Sequence, residues 1–188
     1  MENVLDLHSR AEFREWLNEY SQTEKECWVA LKRGKPVDDT VFYYLDAVEE
    51  ALCFGWIDSV NKGIDGVRYQ RFSPRVKRSP WSELNKERVR RLDKLGLLTP
   101  QGKKLLPKNF KKKSVLDPDV IAALKKHRCY KKFKAFPELY QRIRVYNVAF
   151  YKRSDPAFYQ ASLKNLIERT KKGKMFGEWN DYGRLLDY

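Results

Sequence analysis

Histidine is nearly missing from this chain: 188 residues hold only His8 and His127, far apart. Cysteine is scarce as well, with Cys27, Cys53 and Cys129 widely separated and no Cys-x-x-Cys. A zinc site needs several such ligands at close spacing, so no metal is expected, and a lone His127 and Cys129 read as a surface pair. An odd number of scattered cysteines fits free thiols in a reducing compartment, not a disulfide framework. There is no Gly-x-Gly-x-x-Gly, no P-loop and no Gly-x-Ser-x-Gly, so the commonest nucleotide, dinucleotide and serine-hydrolase signatures are excluded and no cofactor is expected. No apolar run approaches a membrane span. The opening "MENVLDLHSRAEFREWL" mixes acids into its hydrophobics and lacks a signal core, so a cytoplasmic protein is expected.

What is present is aromatic and basic. Apolar residues make up 42%, with 5 Trp, 11 Tyr and 10 Phe, enough to build a core. The net charge of +14 is unevenly spread. Residues 1–61 carry 6 basic and 13 acidic groups, a net of −7. Residues 62–113 carry 17 and 4, a net of +13, and residues 114–188 carry 16 and 8, a net of +8. That polarity suggests an anionic partner for the later part, against the plainer reading of solvated lysines on helix faces.

Local signals then give an order of elements. Ser9 and Glu12 form a capping box, and Phe13, Trp16, Leu17 and Tyr20 share a face, which predicts a helix over roughly 10–20. "ECWVALKRG", 26–34, reads as a strand. A turn through Pro36, Asp38 and Asp39 leads to helically spaced Val41, Tyr44, Leu45, Val48 and Leu52, stopping near Gly55. Asp65-Gly66 predicts a type I′ hairpin joining strands near 57–64 and 67–73, with Val67 and Tyr69 on one face and Arg68, Gln70 and Phe72 on the other. Ser79 reads as the cap of a helix beginning at Pro80, with Trp81, Leu84, Leu92 and Leu95 on one face and Gly96 at its end. Thr99-Pro100 starts a short helix ended by Pro107. Asp117-Pro118 and Asp155-Pro156 open two more, and Phe136, Leu139, Tyr140, Ile143 and Phe150 make a stripe between them. The fold class is α+β and mainly helical, with a small antiparallel sheet and helices in the N-terminal half and a helical C-terminal part. The expected division is an α+β domain over 1–107, a basic linker over 108–116 and a helical subdomain over 117–188.

Two dense stretches carry the candidate chemistry: "CFGWIDSV", 53–60, and "RFSPRVKRSPWSELN", 71–85. Trp56, Tyr69 and Trp81 suit flat apolar walls, and Arg75 suits an anion. Asp58, Ser59, Ser79 and Asn85 suit polar anchoring of a ligand. Each has a structural alternative: Trp56 and Trp81 as core aromatics, Asp58 as a tie for the hairpin, Ser79 as a cap, Arg75 as a partner of Asp58 or Glu83. Asp58, Asp65 and Glu83 are the nearby acids, and spacing selects no acid–base pair among them.

"YYLDAVEEALCFGWIDS", "YQRFSPR" and "SPWSELNKERVRRLDKLGLLTPQG", in this order, resemble the YdeI/OmpD-associated family, also called bacteriocin-protection proteins. The resemblance covers roughly Trp28 to Gly102. The C-terminal "AFYKRSDPAFYQASL" departs from the Ala-Lys-Arg and Thr-Arg segment usual in that family. The resemblance implies a small bacterial protein connected with protection against bacteriocins or cationic antimicrobial peptides, and it brings no catalytic mechanism or cofactor. A cationic protein is a poor direct trap for cationic peptides, because like charges repel.

Three functional expectations follow. The leading one is a non-catalytic cytoplasmic stress-protection or small-ligand module, with Trp56, Asp58, Ser59, Tyr69, Arg75, Trp81 and Asn85 around a pocket between the two motifs. The second is nucleic-acid or other polyanion binding by the basic 62–113 region, including Lys111, Lys112 and Lys113, with Tyr69, Phe72, Trp81 and Phe110 available for stacking. The third is an enzyme using Asp58, its carboxyl desolvated by an aromatic neighbour.

Overall fold

The computed structural model describes residues 3–38, 40–77 and 79–188; Asp39, part of the expected turn, lies outside them. The chain divides into two compact units. One comprises Met1–Pro80, Arg88–Phe110 and Tyr188, the other Trp81–Glu87 and Lys111–Asp187.

The first unit is built on a four-stranded sheet. Its strands are β1 (Val4–Leu5), β2 (Cys27–Ala30), β3 (Trp56–Ile64) and β4 (Val67–Pro74), in the order β1-β2-β4-β3. β1 runs parallel to β2, and the other pairs are antiparallel. The sheet is therefore mixed where an antiparallel one was expected, because β1 is followed by a helical crossover before β2. That helix, α1 (Arg10–Tyr20), starts as its capping box requires: Ser9 Oγ accepts from Glu12 N at 3.2 Å. The Glu12 carboxylate reaches back to the His8 amide at 2.9 Å, one residue beyond the usual position. α2 (Tyr44–Cys53) begins three residues after Val41, which is exposed and takes no part in the helix.

The hairpin is as the sequence predicts. Asp65 and Gly66 have φ of 48° and 79°, the two positive values that a type I′ turn demands. Gln70 and Phe72 point to the face covered by helices, and the Phe13 ring of α1 lies 5.3 Å from that of Phe72. Between Asp58 and Asn61 the β3–β4 register shifts by one residue, a β-bulge.

α3 (Glu83–Lys94) begins later than expected. The Asn85 amide donates to Ser82 Oγ at 3.1 Å, so Ser82 caps this helix. Ser79 instead turns its hydroxyl to the Val76 carbonyl at 2.9 Å. Trp81 precedes the helix and Leu95 follows it, whereas Val89 and Leu92 are fully buried. α4 (Pro100–Lys104) is capped by Thr99, whose Oγ1 accepts from Gly102 N at 3.1 Å.

The second unit is helical: α5 (Pro118–Lys126), α6 (Tyr130–Lys134), α7 (Glu138–Phe150) and α8 (Pro156–Lys171). Asp117 and Asp155 cap α5 and α8 with proline in the first turn, as their Asp-Pro pairs predict. Val120, Leu124, Phe133, Tyr140, Leu163 and Leu166 form its core. Of the expected stripe, Leu139, Tyr140 and Ile143 are buried, but Phe150 is half exposed. Within this unit Glu83 and Glu87 hold the buried Arg142 guanidinium, and Ser114 donates to Glu83. The observed class is α+β and mainly helical. Among the described residues no helix is long and apolar enough to cross a membrane.

Candidate functional site

The "CFGWIDS" block sits where α2 ends and β3 begins. Gly55, at φ +75°, reverses the chain in a conformation that side chains rarely adopt. Its carbonyl accepts from the Arg75 amide at 2.9 Å, tying the block to the end of β4. Trp56 is 1% exposed; its indole donates to the Ser21 carbonyl at 3.1 Å and meets the edge of Trp16 at 5.6 Å. The Cys53 carbonyl accepts from both the amide and the hydroxyl of Thr99, at 3.0 and 2.8 Å, which seats α4 against the end of α2.

Beside this junction opens a pocket of about 330 Å³. Phe54, Gly55, Trp56, Pro74 and Leu105 supply its apolar wall, and Gln22, Glu24, Gln101 and Lys104 its polar groups. Gln22, Gln101 and Lys104 are exposed and so define the mouth, whereas Phe54 and Trp56 are buried. A second pocket, about 390 Å³, is lined by Leu7, Ala30, Phe42 and Val67 with His8, Lys32 and Arg68. None of the expected site residues lines it.

Of the seven expected binding residues, Trp56 alone lines the motif pocket. Asp58 is half-buried on the helix-covered face and accepts from the Tyr44 hydroxyl at 2.6 Å. Burial, then the Asp58 carboxylate, pushes the Tyr44 hydroxyl far above its ordinary range, against the pull of Arg88 and Arg33. The Arg33 guanidinium stacks 3.7 Å from the Tyr44 ring centre and donates to Gln70 Oε1 at 2.7 Å. Gln70 in turn donates to the Val60 carbonyl in the bulge at 3.1 Å. The aromatic neighbour expected for Asp58 is therefore Tyr44, a residue that the sequence signals only by its helical spacing. Tyr69 and Ser59 lie on the other side of the sheet, with Ser59 Oγ accepting from Arg71 at 3.2 Å. Arg75, 7% exposed, donates to the Pro80 carbonyl at 2.8 Å. Trp81 and Asn85 belong to the second unit.

Sequence reasoning also missed a buried ionic cluster on α2. Glu49 and Glu50 are 0% and 2% exposed. Arg10 donates to Glu50 at 2.5 Å and to Glu49 at 3.0 Å, Arg14 to Glu50 at 2.6 Å and Arg91 to Glu49 at 2.8 Å. Burial pulls the Arg10 and Arg14 guanidinium pKa values down, but their carboxylate partners outweigh it and both end up raised. Glu26 likewise receives Arg71 at 2.6 Å and the Trp28 indole at 3.0 Å. Glu26 and Glu49 thus bind cations from the basic band, whereas Glu50 is held by the arginines of α1. Lys113, in the second unit, pairs with Glu138 at 2.7 Å, and the exposed Lys111 and Lys112 also have contacts. Among the described residues no group of three or more His, Cys, Asp and Glu side chains could hold a metal ion.

Residues 5–105 match the model of a family described as a domain of unknown function, DUF8412. No curated protein and no solved structure matches the chain. The matched stretch contains every residue that lines either pocket. It spans more than half of the 188 residues, and the chain belongs to the DUF8412 family.

Proposed function

We propose that this protein is a non-catalytic module that binds a small polar ligand in the pocket between Phe54–Trp56 and Pro74. The observation that carries the reading is that the glycine-turn block, the end of β4 and α4 meet around an opening of about 330 Å³. That is the lower end of the size range of small-molecule sites. The pocket offers an indole and a phenyl ring as walls. Two amides, one carboxylate and one ammonium lie around them. A molecule with a compact apolar body and both signs of charge, such as an amino acid or a dipeptide, matches this set. The resemblance of the sequence to YdeI/OmpD-associated proteins supports a role for such a module in cytoplasmic bacterial stress protection. It would act by sequestering or sensing a metabolite rather than by trapping cationic peptides.

The test uses thermal-shift screening against amino acids, dipeptides and related zwitterions, followed by calorimetric titration. Gln101→Trp fills the mouth of the pocket from an exposed position. A ligand that stabilises the wild type and loses its effect on Gln101→Trp supports the site. A ligand that binds both proteins equally sinks it, as does a screen in which no zwitterion shifts the melting temperature.

A further inference from the structure

Several arginines of the basic band of residues 62–113 are engaged inside the protein. Arg71 is held by Glu26, Arg91 by Glu49 and Arg75 by the Pro80 carbonyl, and Arg90 donates to the Phe110 carbonyl. The second unit contains a basic region of a different kind. Residues 125–134 and 169–174 hold ten cations, Lys125, Lys126, Arg128, Lys131, Lys132, Lys134, Arg169, Lys171, Lys172 and Lys174, with no acid among them. All ten are exposed. Among the described residues, none of the ten forms an ion pair with a carboxylate.

The fold draws these two segments together. α6 touches both α5 and α8, and Lys132 Nζ donates to the Lys171 carbonyl at 2.7 Å. Phe133 and Cys129 anchor the patch from below as buried core residues, so Cys129 is not the surface partner of His127 that the sequence suggested. The end of α8 is fixed by amide bonds from Gly173 to Thr170 and from Lys174 to Arg169, at 2.9 and 3.0 Å. Lysines in the last turns of α5 and α8 complement those helix ends, which accounts for some of the ten. Lys131, Lys132 and Lys134 fall in the last turn of α6, but a helix of five residues sums few peptide dipoles for three cations to complement. So many like charges on one folded surface repel one another and favour any state that supplies anions.

We infer that this surface, at the C-terminal ends of α5 and α8 with α6, docks the phosphate backbone of a double-stranded nucleic acid without reading its sequence. Eight of the ten cations are lysine, which grips phosphate as a point charge rather than through a fixed fork. Lysine is depleted in protein–protein interfaces, whereas nucleic-acid interfaces are strongly positive and polar. The lysine ammonium nearest an aromatic, Lys125, lies 5.3 Å from the centre of the half-buried Tyr130 ring. No exposed tryptophan or phenylalanine stands within the two segments to anchor them in a bilayer. The docking surface is separate from the pocket proposed above, and either can fail without the other.

The test is fluorescence anisotropy of the full chain with labelled duplex DNA and duplex RNA between 50 and 200 mM salt, about the range over which phosphate contacts are lost. The variant is Lys131→Glu/Lys134→Glu/Lys172→Glu. The control is Lys77→Glu/Lys103→Glu/Lys108→Glu, three exposed cations of the first unit with the same change in net charge. Circular dichroism checks that both variants fold. The expected result is binding weakened at least about tenfold in the first variant, with a log–log salt slope shallower by about 2 to 3, and a much smaller change in the control. Equal losses in both variants would mean that net charge alone is responsible and would overturn the proposal. Wild-type binding that duplexes do not compete away from phosphatidylserine vesicles, or that is equally tight for heparin, would overturn it too.

Discussion

The carbonyl oxygen of Cys53 occupies the space that a side chain at Gly102 would need: an ideal Cβ there falls 2.2 Å from that oxygen and 2.8 Å from its carbon. The same oxygen is held by Thr99 through two hydrogen bonds, so the helix end cannot withdraw freely. Gly102→Ala should therefore cost about 3 kcal/mol, at the upper end for overpacking. Urea unfolding measures it, with Gln101→Ala next door expected within about 0.5 kcal/mol of wild type. A Gly102→Ala protein as stable as wild type would refute the close contact.

A second pair of substitutions separates two neighbouring serines. Ser82→Ala removes the acceptor for the Asn85 amide and should cost about 1 kcal/mol. Ser79→Ala leaves the start of α3 untouched and should cost little. Chemical denaturation of the two proteins side by side decides the matter, and a larger loss in Ser79→Ala would return the cap to Ser79.

The buried acids of α2 give a third test. Glu50→Gln leaves Arg10 and Arg14 around an uncharged amide at a site 2% exposed. Removing one partner from such a cluster costs about 3–5 kcal/mol. Glu138→Gln breaks the pair with Lys113, where both side chains are more than half exposed, and should cost at most about 1 kcal/mol. Comparable losses from the two variants would contradict the burial of the cluster.

The thiols supply the pH dependence. Burial, helped by Glu50, pushes Cys53 up to about 12 against the pull of Arg14, and burial raises Cys27 as well. In an unfolded chain a thiol titrates near about 8.5. With folded values above unfolded ones, the stabilising contribution is whole below about pH 8.5 and is lost as pH climbs from there toward 12. Urea midpoints measured from pH 7 to 11 should fall progressively above the lower limit. A thiol-specific reagent at pH 8 should label Cys27 and Cys53 only under unfolding conditions; prompt labelling of either in the native protein would contradict its burial.

The elements that the sequence made legible are those specified within a few residues. Asp65-Gly66 carries its turn in its own dihedral preferences, and Ser9, Thr99, Asp117 and Asp155 carry caps that depend on amides two or three positions away. Ser79 and Ser82 satisfy the same local rule, and only the wider fold chooses between them. Two-residue β1 offers no periodicity to read. The candidate site was less legible because its determinants are distant in the chain. Gly102 is shaped by Cys53, Trp56 by Ser21 and Asp58 by Tyr44. The charge asymmetry was visible, but Glu26 and Glu49 find Arg71 and Arg91 more than forty residues away, a pairing that no window reveals.

The bulge in β3 bears on how this protein behaves at high concentration. β3 is the terminal strand of its sheet and is nine residues long, the kind of border that recruits a strand from another molecule. Its ladder with β4 is interrupted, three rungs from Trp56 to Asp58 and four from Asn61 to Ile64. An incoming chain would meet two short, offset docking runs rather than one continuous template. Lys62 adds a charge to the longer run, which a second copy in register would have to oppose with its own. Straightening the strand by deleting Val60 would join the two runs, and the resulting protein should form intermolecular sheet at concentrations that leave the wild type dispersed.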